Sequence, residues 1–263
     1  YDLNYHDFHS LSQQQTWLRL IVAWGSCADP PVLLCHGAVD SAASWRPLMA
    51  LLPPSFYYIG MELPGNGLSD PLPSGLMISA YDLVYAIEVV RRHFRWEKFV
   101  YMAHSLGTKL GEIVHIGYMC GVLPLNYETK LTTNHNRGLT GATASMILDR
   151  ISEPIGDGLV RFRHDQRVKA VVSPPFTAEH IKQLYTSITS PTLSILASES
   201  VERGAYTSSP WLLALARHPQ RAHVALHVTG AHDVHALRPH ALAPHVAQFL
   251  LHGAQGLDTK AKL

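Results

Sequence analysis

A serine lies in a five-residue pattern of the kind that presents a nucleophile. Residues 103–107 read Ala-His-Ser-Leu-Gly, between the apolar run 99–102 and a helical pattern over 106–119. A serine hydroxyl becomes a nucleophile only with a base, oxyanion donors and exposure to substrate. A sharp strand-turn-helix with small residues two before and two after the serine gives that exposure. The pattern predicts Ser105 as nucleophile, supported by His104 and Gly107. The alternative is a buried serine in an ordinary turn.

Two backbone amides are predicted to form an oxyanion hole for this serine. One belongs to Leu106, the residue after the nucleophile, and the other to a loop after an early strand. His36-Gly37-Ala38 follows the apolar run 32–35 and is in the right place for that loop. We therefore expect the Ala38 amide to be the second donor, with His36 and Gly37 supporting the turn. A plain strand-ending turn is the alternative.

The base is expected to come last in the chain order serine, acid, histidine. His232 follows the final predicted strand, 223–228, and is the predicted base. His235 is three residues further on and could be confused with it, whereas His227 lies within the strand. Because the chain has 17 histidines, the position after the last strand distinguishes His232 better than its residue type does.

The acid is expected after the predicted strand 192–197, where the carboxylates are Glu199 and Glu202. A buried carboxylate there would fix the imidazole tautomer and stabilise the imidazolium. Glu199 is closer to the strand end and is the predicted acid. The alternative is that both are solvated loop carboxylates.

Other function classes have little support in the sequence. His232 and His235 find no third metal ligand at a suitable spacing, so no metal site is predicted. The glycines near 65–67 do not form a nucleotide-binding pattern, and no cofactor is expected. A net charge of +1 disfavours nucleic-acid binding, and no apolar run reaches the eighteen or so residues that span a bilayer. The three cysteines have no C-x-x-C spacing, which favours a reducing compartment.

Elements that would position these residues alternate as strand, helix, strand, helix. Such an order predicts a mostly parallel, doubly wound α/β sheet with its chemistry at the carboxyl ends of the strands. Residues 17–120 and 177–253 are predicted to form this core, with a strand at 56–61 and helices at 45–52, 79–92, 177–186 and 211–217. The apolar residues within 79–92 have helical spacing. Residues 121–176 break the rhythm with glycines and prolines and are interpreted as a cap or insertion. Residues 1–16 and 254–263 are predicted to be flexible ends.

The ordered set of segments resembles the serine hydrolase-like proteins, including the insect kraken-type hydrolases. The resemblance covers most of the chain and rests on residues 23–26, 32–45, 51–53, 57–69, 104–107, 163–169 and 230–235. It implies an α/β-hydrolase fold, a Ser-acid-His triad, no cofactor and a poorly defined substrate. Our first hypothesis is a serine hydrolase that acts on a small-molecule carboxylic ester or similar acyl bond. Epoxide or haloalkane hydrolysis in related enzymes uses an aspartate nucleophile, so Ser105 disfavours those reactions.

The chain departs from this family at several positions. Glu62 replaces the usual Asp, Asn66 replaces His, and Ala103 and Thr108 replace Gly. The family also has a further strand and a longer helical cap after the nucleophile helix, whereas here the chain passes almost directly from Met119 to Arg137. This shortening motivates two hypotheses: that a central strand is lost, and that the chain is a catalytically impaired pseudo-hydrolase acting as a binding protein.

The last three residues, Ala261-Lys262-Leu263, resemble a peroxisomal address of the Ser-Lys-Leu type. Such a tripeptide is read by an import receptor, so the chain is expected to be peroxisomal or cytoplasmic. Chance similarity is the alternative.

Overall fold

The computed structural model describes residues 21–75, 77–117, 121–125, 141–157, 159–172, 177, 179, 190–204 and 223–253. Seven strands in this part of the chain form one sheet. Its strands are β1 (Ile21–Trp24), β2 (Pro31–Cys35), β3 (Tyr57–Met61), β4 (Val100–His104), β5 (Gly121–Leu125), β8 (Thr192–Ala197) and β9 (His223–Val228). The remaining two, β6 (Ser152–Gly156) and β7 (Leu159–Phe162), pair as a separate antiparallel hairpin.

The large sheet has the strand order β1-β3-β2-β4-β5-β8-β9. Only β1 runs antiparallel to its neighbour, and every other pair is parallel. The chain turns from one half of the sheet to the other beside β2 and β4. At such a switch point the loops that follow neighbouring strands diverge and leave a crevice. The predicted parallel, doubly wound architecture is thus confirmed.

Helices cover both faces of the sheet. They are α1 (Arg46–Met49), α2 (Ala80–His93), α3 (Leu106–Gly117), α4 (Gly141–Ile151), α5 (Ser198–Glu202), α6 (Val234–Leu237) and α7 (Pro239–His252). Short 3₁₀ helices occur at Ala42–Trp45 and Gln166–Ala170. None of the helices in the described ranges is long and apolar enough to cross a membrane.

Alternate residues of the buried strands belong to two separate cores. In β2, Leu33 and Cys35 pack with α2, whereas Val32 and Leu34 pack with α1 and α7. A strand buried on both faces has no polar side, which explains why the sequence of β2 is continuously apolar. Helix α2 begins with a capping box in which Ser79 and Asp82 exchange side-chain to backbone hydrogen bonds.

The region after α3 differs from the sequence-based expectation. Residues 121–125, the first of the predicted cap, form β5 and fill the position between β4 and β8. The hypothesis that a central strand is lost is therefore wrong. Pro124 explains the error, because proline cannot donate to a ladder and argues against a central strand.

Residues 141–172, within the stretch interpreted as a cap or insertion, carry α4, the β6–β7 hairpin and the second 3₁₀ helix. The helix predicted for 211–217 and both flexible ends lie outside the described residues, as does nearly all of the helix predicted for 177–186. The terminal tripeptide 261–263 is outside them as well.

Candidate active site

Ser105 forms the turn between β4 and α3. Its φ is +50°, so a serine adopts the left-handed conformation that normally favours glycine. For an L-residue this costs roughly 1–2 kcal/mol, and it persists only where the surroundings impose it. Strand β4 ends at His104 and α3 begins at Leu106, so the turn consists of this one residue. That is the backbone shape of a nucleophile elbow.

Two glycines allow the end of β2 to approach this turn. A Cβ on Gly37 would lie 3.1 Å from the Ser105 Cβ and 3.0 Å from the His104 Nδ1. A Cβ on Gly107 would lie 2.7 Å from the Cys35 carbonyl oxygen, closer than real Cβ atoms come to backbone. The loop after β2 therefore packs directly against the elbow, and larger residues at 37 or 107 would separate them.

The predicted oxyanion loop is fixed by His36. Its Nε2 accepts a hydrogen bond from the Leu63 N–H at 3.0 Å, and its Nδ1 bonds the Gly37 carbonyl at 2.7 Å. These partners place the proton on Nδ1, and burial lowers the pKa of His36 to about 4, so the ring is neutral. The ring thus ties the start of the loop that contains Ala38 to Leu63, just after β3. The Leu106 amide lies in the first turn of α3, where N–H groups have no intrahelical acceptor.

His232 lies in the loop after β9, next to the elbow. The His104 Nε2–H donates to the His232 carbonyl oxygen at 3.1 Å, and the centroids of the two rings are 4.7 Å apart. The predicted base is thus brought to the residue that precedes Ser105. His235 is also here, buried between His104 at 4.2 Å and Trp45 at 4.8 Å between ring centroids.

Glu199 is placed differently from these residues. It lies in α5, and its backbone N–H donates to the Gly230 carbonyl, which joins α5 to the loop of His232. Its carboxylate, however, is 46% exposed and pairs with Arg203 at 3.5 Å. Glu202 is also exposed. The structure therefore brings the backbone of Glu199 to the site while its carboxylate pairs with Arg203.

Two aspartates that sequence analysis did not select have carboxylates closer to the imidazoles. Asp233 Oδ1 is 3.6 Å from the His104 Nε2. Asp40 has an oxygen within 4.8 Å of ligand nitrogens of both His104 and His235. Their positions in the sequence could have identified both aspartates, because Asp40 follows the end of β2 and Asp233 is next to His232.

Burial dominates the electrostatics of this cluster. Burial, together with His235 and His232, holds the pKa of His104 well below its usual range. Burial lowers the pKa of His235 to about 3. Burial also raises the pKa of Asp40 to about 7, with Asp233 adding to the shift. Near neutral pH both imidazoles are therefore uncharged, with a lone pair on one nitrogen each.

A cleft of about 500 Å³ lies beside α4 rather than at Ser105. Its lining consists of α4 side chains together with Arg46 and Leu68. Arg150 at its edge reaches the buried Glu62, where its Nε donates to Oε1 at 2.6 Å. This ion pair fastens α4 to the end of β3.

Comparison with solved structures identifies the fold. A hypothetical protein of Pseudomonas aeruginosa PAO1 superposes with a TM-score of 0.73 at 19% identity, over 88% of this chain and 94% of that one. Residues 30–112 also match the family model of the alpha/beta hydrolase fold. The chain has the α/β-hydrolase fold. The fold class predicted from the sequence is thereby confirmed.

This chain has relatives that support the resemblance predicted from its sequence. It is 39% identical to a human serine hydrolase-like protein over 89 residues, which are 34% of this chain and 44% of the relative. It is also 22% identical to a probable serine hydrolase of Drosophila melanogaster over 86% of this chain and 82% of that protein. The alignment thus spans less than half the length of the human relative.

Proposed function

We propose that this α/β-hydrolase is a serine hydrolase that cleaves carboxylic esters or related acyl bonds of a small-molecule substrate. The observation that carries the proposal is the left-handed backbone of Ser105 between β4 and α3. A serine is strained in this conformation, and the adjacent glycines have the close packing that maintains it. The names of the relatives, serine hydrolase-like and probable serine hydrolase, support the same reaction class.

In the proposed reaction the Ser105 hydroxyl attacks the substrate carbonyl carbon. His232 accepts the hydroxyl proton and later donates it to the leaving alcohol. The amides of Ala38 and Leu106 hydrogen-bond the oxyanion that forms on the carbonyl oxygen. Water then attacks the acyl-enzyme with His232 again as base, which releases the acid and restores Ser105.

The acid partner of His232 stays a prediction. Glu199 is the candidate that chain order selects, and it would have to exchange Arg203 for the imidazole. Asp233 is the nearby alternative by distance to the histidine cluster. Comparison of Glu199→Gln with Asp233→Asn distinguishes them, because loss of the true partner lowers the turnover number by about 10⁴-fold.

Labelling by a fluorophosphonate probe tests the proposed nucleophile. We expect the wild-type chain to be labelled at Ser105, as located by peptide mass spectrometry. Ser105→Ala should abolish labelling, and His232→Ala should slow it by roughly 10²–10⁴-fold because the base is lost. Ser74→Ala is the matched control, since Ser74 is exposed and outside the site. Absence of labelling in wild-type protein with native circular dichroism would reject the proposal.

A second candidate function is favoured by the position of the Glu199 carboxylate. With this carboxylate paired to Arg203, the triad lacks its acid, and the chain is on this hypothesis a pseudo-hydrolase that binds without turnover. This hypothesis predicts folded protein that neither reacts with the probe nor hydrolyses any ester in a broad panel.

Localisation in the peroxisome through an import receptor is a further proposal, which depends on Ala261-Lys262-Leu263.

A further inference from the structure

Three buried imidazole nitrogens in the histidine cluster next to the elbow have no hydrogen-bond partner among the described residues. They are both nitrogens of His235 and Nδ1 of His104. The two side chains are almost completely buried, at 1% and 4% residue exposure. An unsatisfied buried polar group costs about 1–3 kcal/mol, and native proteins pair nearly all of them. Unpartnered nitrogens on two neighbouring imidazoles therefore indicate a ligand that binds one nitrogen of each ring.

His104 has the hydrogen bonding of a metal-binding histidine. Its Nε2–H donates to the His232 carbonyl oxygen at 3.1 Å, which leaves the lone pair on Nδ1. Metal-binding histidines almost always donate their other ring N–H to a carbonyl or carboxylate in this way, because it fixes the tautomer and orients the ring. The unpartnered Nδ1 is thus oriented as a ligand atom.

Asp40 supplies an anionic oxygen to the same place. Its carboxylate accepts hydrogen bonds from the Ser41 N–H at 2.7 Å and the Ser44 hydroxyl at 2.9 Å, both neutral donors. No cation pairs with it among the described residues. A carboxylate removed from water is strongly stabilised by a metal ion.

One ligand atom each from Asp40, His104 and His235 lies within 4.8 Å of the other two. Ligands of a tetrahedral zinc ion are about 3.3 Å apart at the usual bond lengths, so a modest contraction is sufficient. We propose that these three side chains bind a divalent first-row metal ion, with Zn²⁺ the best match to two imidazoles and one carboxylate. The ligands come from the loop after β2, the end of β4 and α6, so the ion would join three segments around Ser105.

The site goes beyond the proposed hydrolase reaction and does not depend on it. None of its ligands is Ser105 or His232, and a metal ion would bind whether or not the serine reacts. In the sequence, only His232 and His235 have a spacing that suggests metal ligands, and no third ligand lies near them. The fold supplies Asp40 and His104 from positions remote in the chain, which no local motif reveals.

Zinc titration of chelator-stripped full-length protein, followed by calorimetry, tests the site. We expect one tight equivalent in the wild type and at least ~100-fold weaker binding in Asp40→Asn and His235→Gln. His240→Gln is the matched control, because His240 is exposed on α7 and outside the cluster. Ser105→Ala should bind zinc as the wild type does, which separates failure of this proposal from failure of the proposed function.

Cobalt supplies a readout that does not depend on the variants being folded. A buried two-histidine, one-carboxylate site should give wild-type protein with Co²⁺ intense visible bands of low-coordinate geometry, which zinc then removes. Six-coordinate, weakly absorbing cobalt would overturn the proposal. Absence of zinc binding would also overturn it. Equal zinc affinity in the wild type, Asp40→Asn and His235→Gln would do the same, because exposed histidines would then account for the binding.

Discussion

The backbone of Ser105 is held in its strained conformation by neighbours rather than by its own side chain. The Thr108 hydroxyl donates to the Ser105 carbonyl at 2.7 Å, and the Tyr101 hydroxyl donates to the Gly107 carbonyl at 2.8 Å. Both bonds tie the first turn of α3 to the end of β4. The serine hydroxyl is not needed for either bond, so conformation and chemistry can be separated at this residue.

We predict that Ser105→Gly is more stable than Ser105→Ala by about 1 kcal/mol. Glycine adopts a φ of +50° without the Cβ strain that alanine has there, and this exceeds its greater loss of chain entropy. Urea unfolding of the two variants measures the difference. At Ser74, where φ is not positive, the order should reverse. An alanine variant at 105 as stable as the glycine variant would contradict the inferred strain.

Residue positions were predictable wherever they follow from strand ends. The loop of His36 and the elbow of Ser105 both follow short apolar runs, and parallel strands bring such ends to one edge. The direction of a carboxylate was not predictable in this way. Glu199 satisfies the rule of chain order, yet its side chain pairs with Arg203 one helical turn away. Asp40 approaches the histidines through loop packing, which has no periodicity in the sequence.

At the scale of elements, α4 is fastened to the sheet by a buried ion pair. Glu62 at the end of β3 is fully buried and also accepts hydrogen bonds from the Ala42 and Leu68 amides, at 3.3 and 2.6 Å. Arg150 supplies its charged partner from α4. The carboxylate therefore joins β3, the first 3₁₀ helix and the insertion. The Glu62 side chain is the common acceptor for the Ala42 amide, the Leu68 amide and the Arg150 guanidinium.

We predict that Arg150→Met lowers the free energy of unfolding by about 3–5 kcal/mol. The substitution leaves the Glu62 carboxylate buried without a cation, and that penalty is far larger than the net gain from a surface pair. Arg161→Met is the matched control, because Arg161 pairs with Glu153 on the exposed hairpin and should change stability by less than about 1 kcal/mol. Chemical denaturation measures both variants.

The double variant Glu62→Gln, Arg150→Met gives the decisive comparison for this ion pair. It removes the buried charge together with its partner, so it should recover part of the lost stability. Equal losses in Arg150→Met and Arg161→Met would show instead that α4 is not held by this contact.

Element types were largely predictable because their periodicities are distinct. The helix expected at 79–92 is observed at Ala80–His93, and its apolar spacing faces the core as predicted. The strand expected at 56–61 is observed at Tyr57–Met61. The helix expected at 45–52 proved shorter, since a 3₁₀ turn over Ala42–Trp45 precedes α1. Strand β5 was missed because it contains Pro124, which argues against a central strand.

At the scale of the whole molecule, buried neutral histidines make stability sensitive to acid. Burial lowers the pKa of His36 to about 4 and that of His235 to about 3, and holds the pKa of His104 well below its usual range. In the unfolded chain each titrates near pH 6.5. Below that pH the unfolded chain therefore binds up to three protons that the folded chain does not, and stability falls.

Asp40 acts in the opposite direction over part of this range. Burial and the nearby Asp233 raise its pKa to about 7, whereas an unfolded aspartate titrates near 3.9. Between these values the folded chain binds one proton that the unfolded chain does not, so this group favours folding as the pH falls. For these four buried groups taken together the difference is about two protons, which corresponds to a slope near 2.7 kcal/mol per pH unit.

We therefore predict that metal-stripped protein loses stability steeply as the pH falls from about 6 to 5, since the unfolded chain gains the net protons. His36→Gln should reduce the slope by about one proton, near 1.4 kcal/mol per pH unit, because a neutral amide does not titrate. His240→Gln, at an exposed position of α7, is the matched control variant. Urea unfolding in chelator at several pH values gives each slope. The contradicting outcome is a slope for His36→Gln equal to that of the wild type. It would mean that the His36 imidazole is protonated in the folded chain. The inference that this ring is neutral would then be wrong.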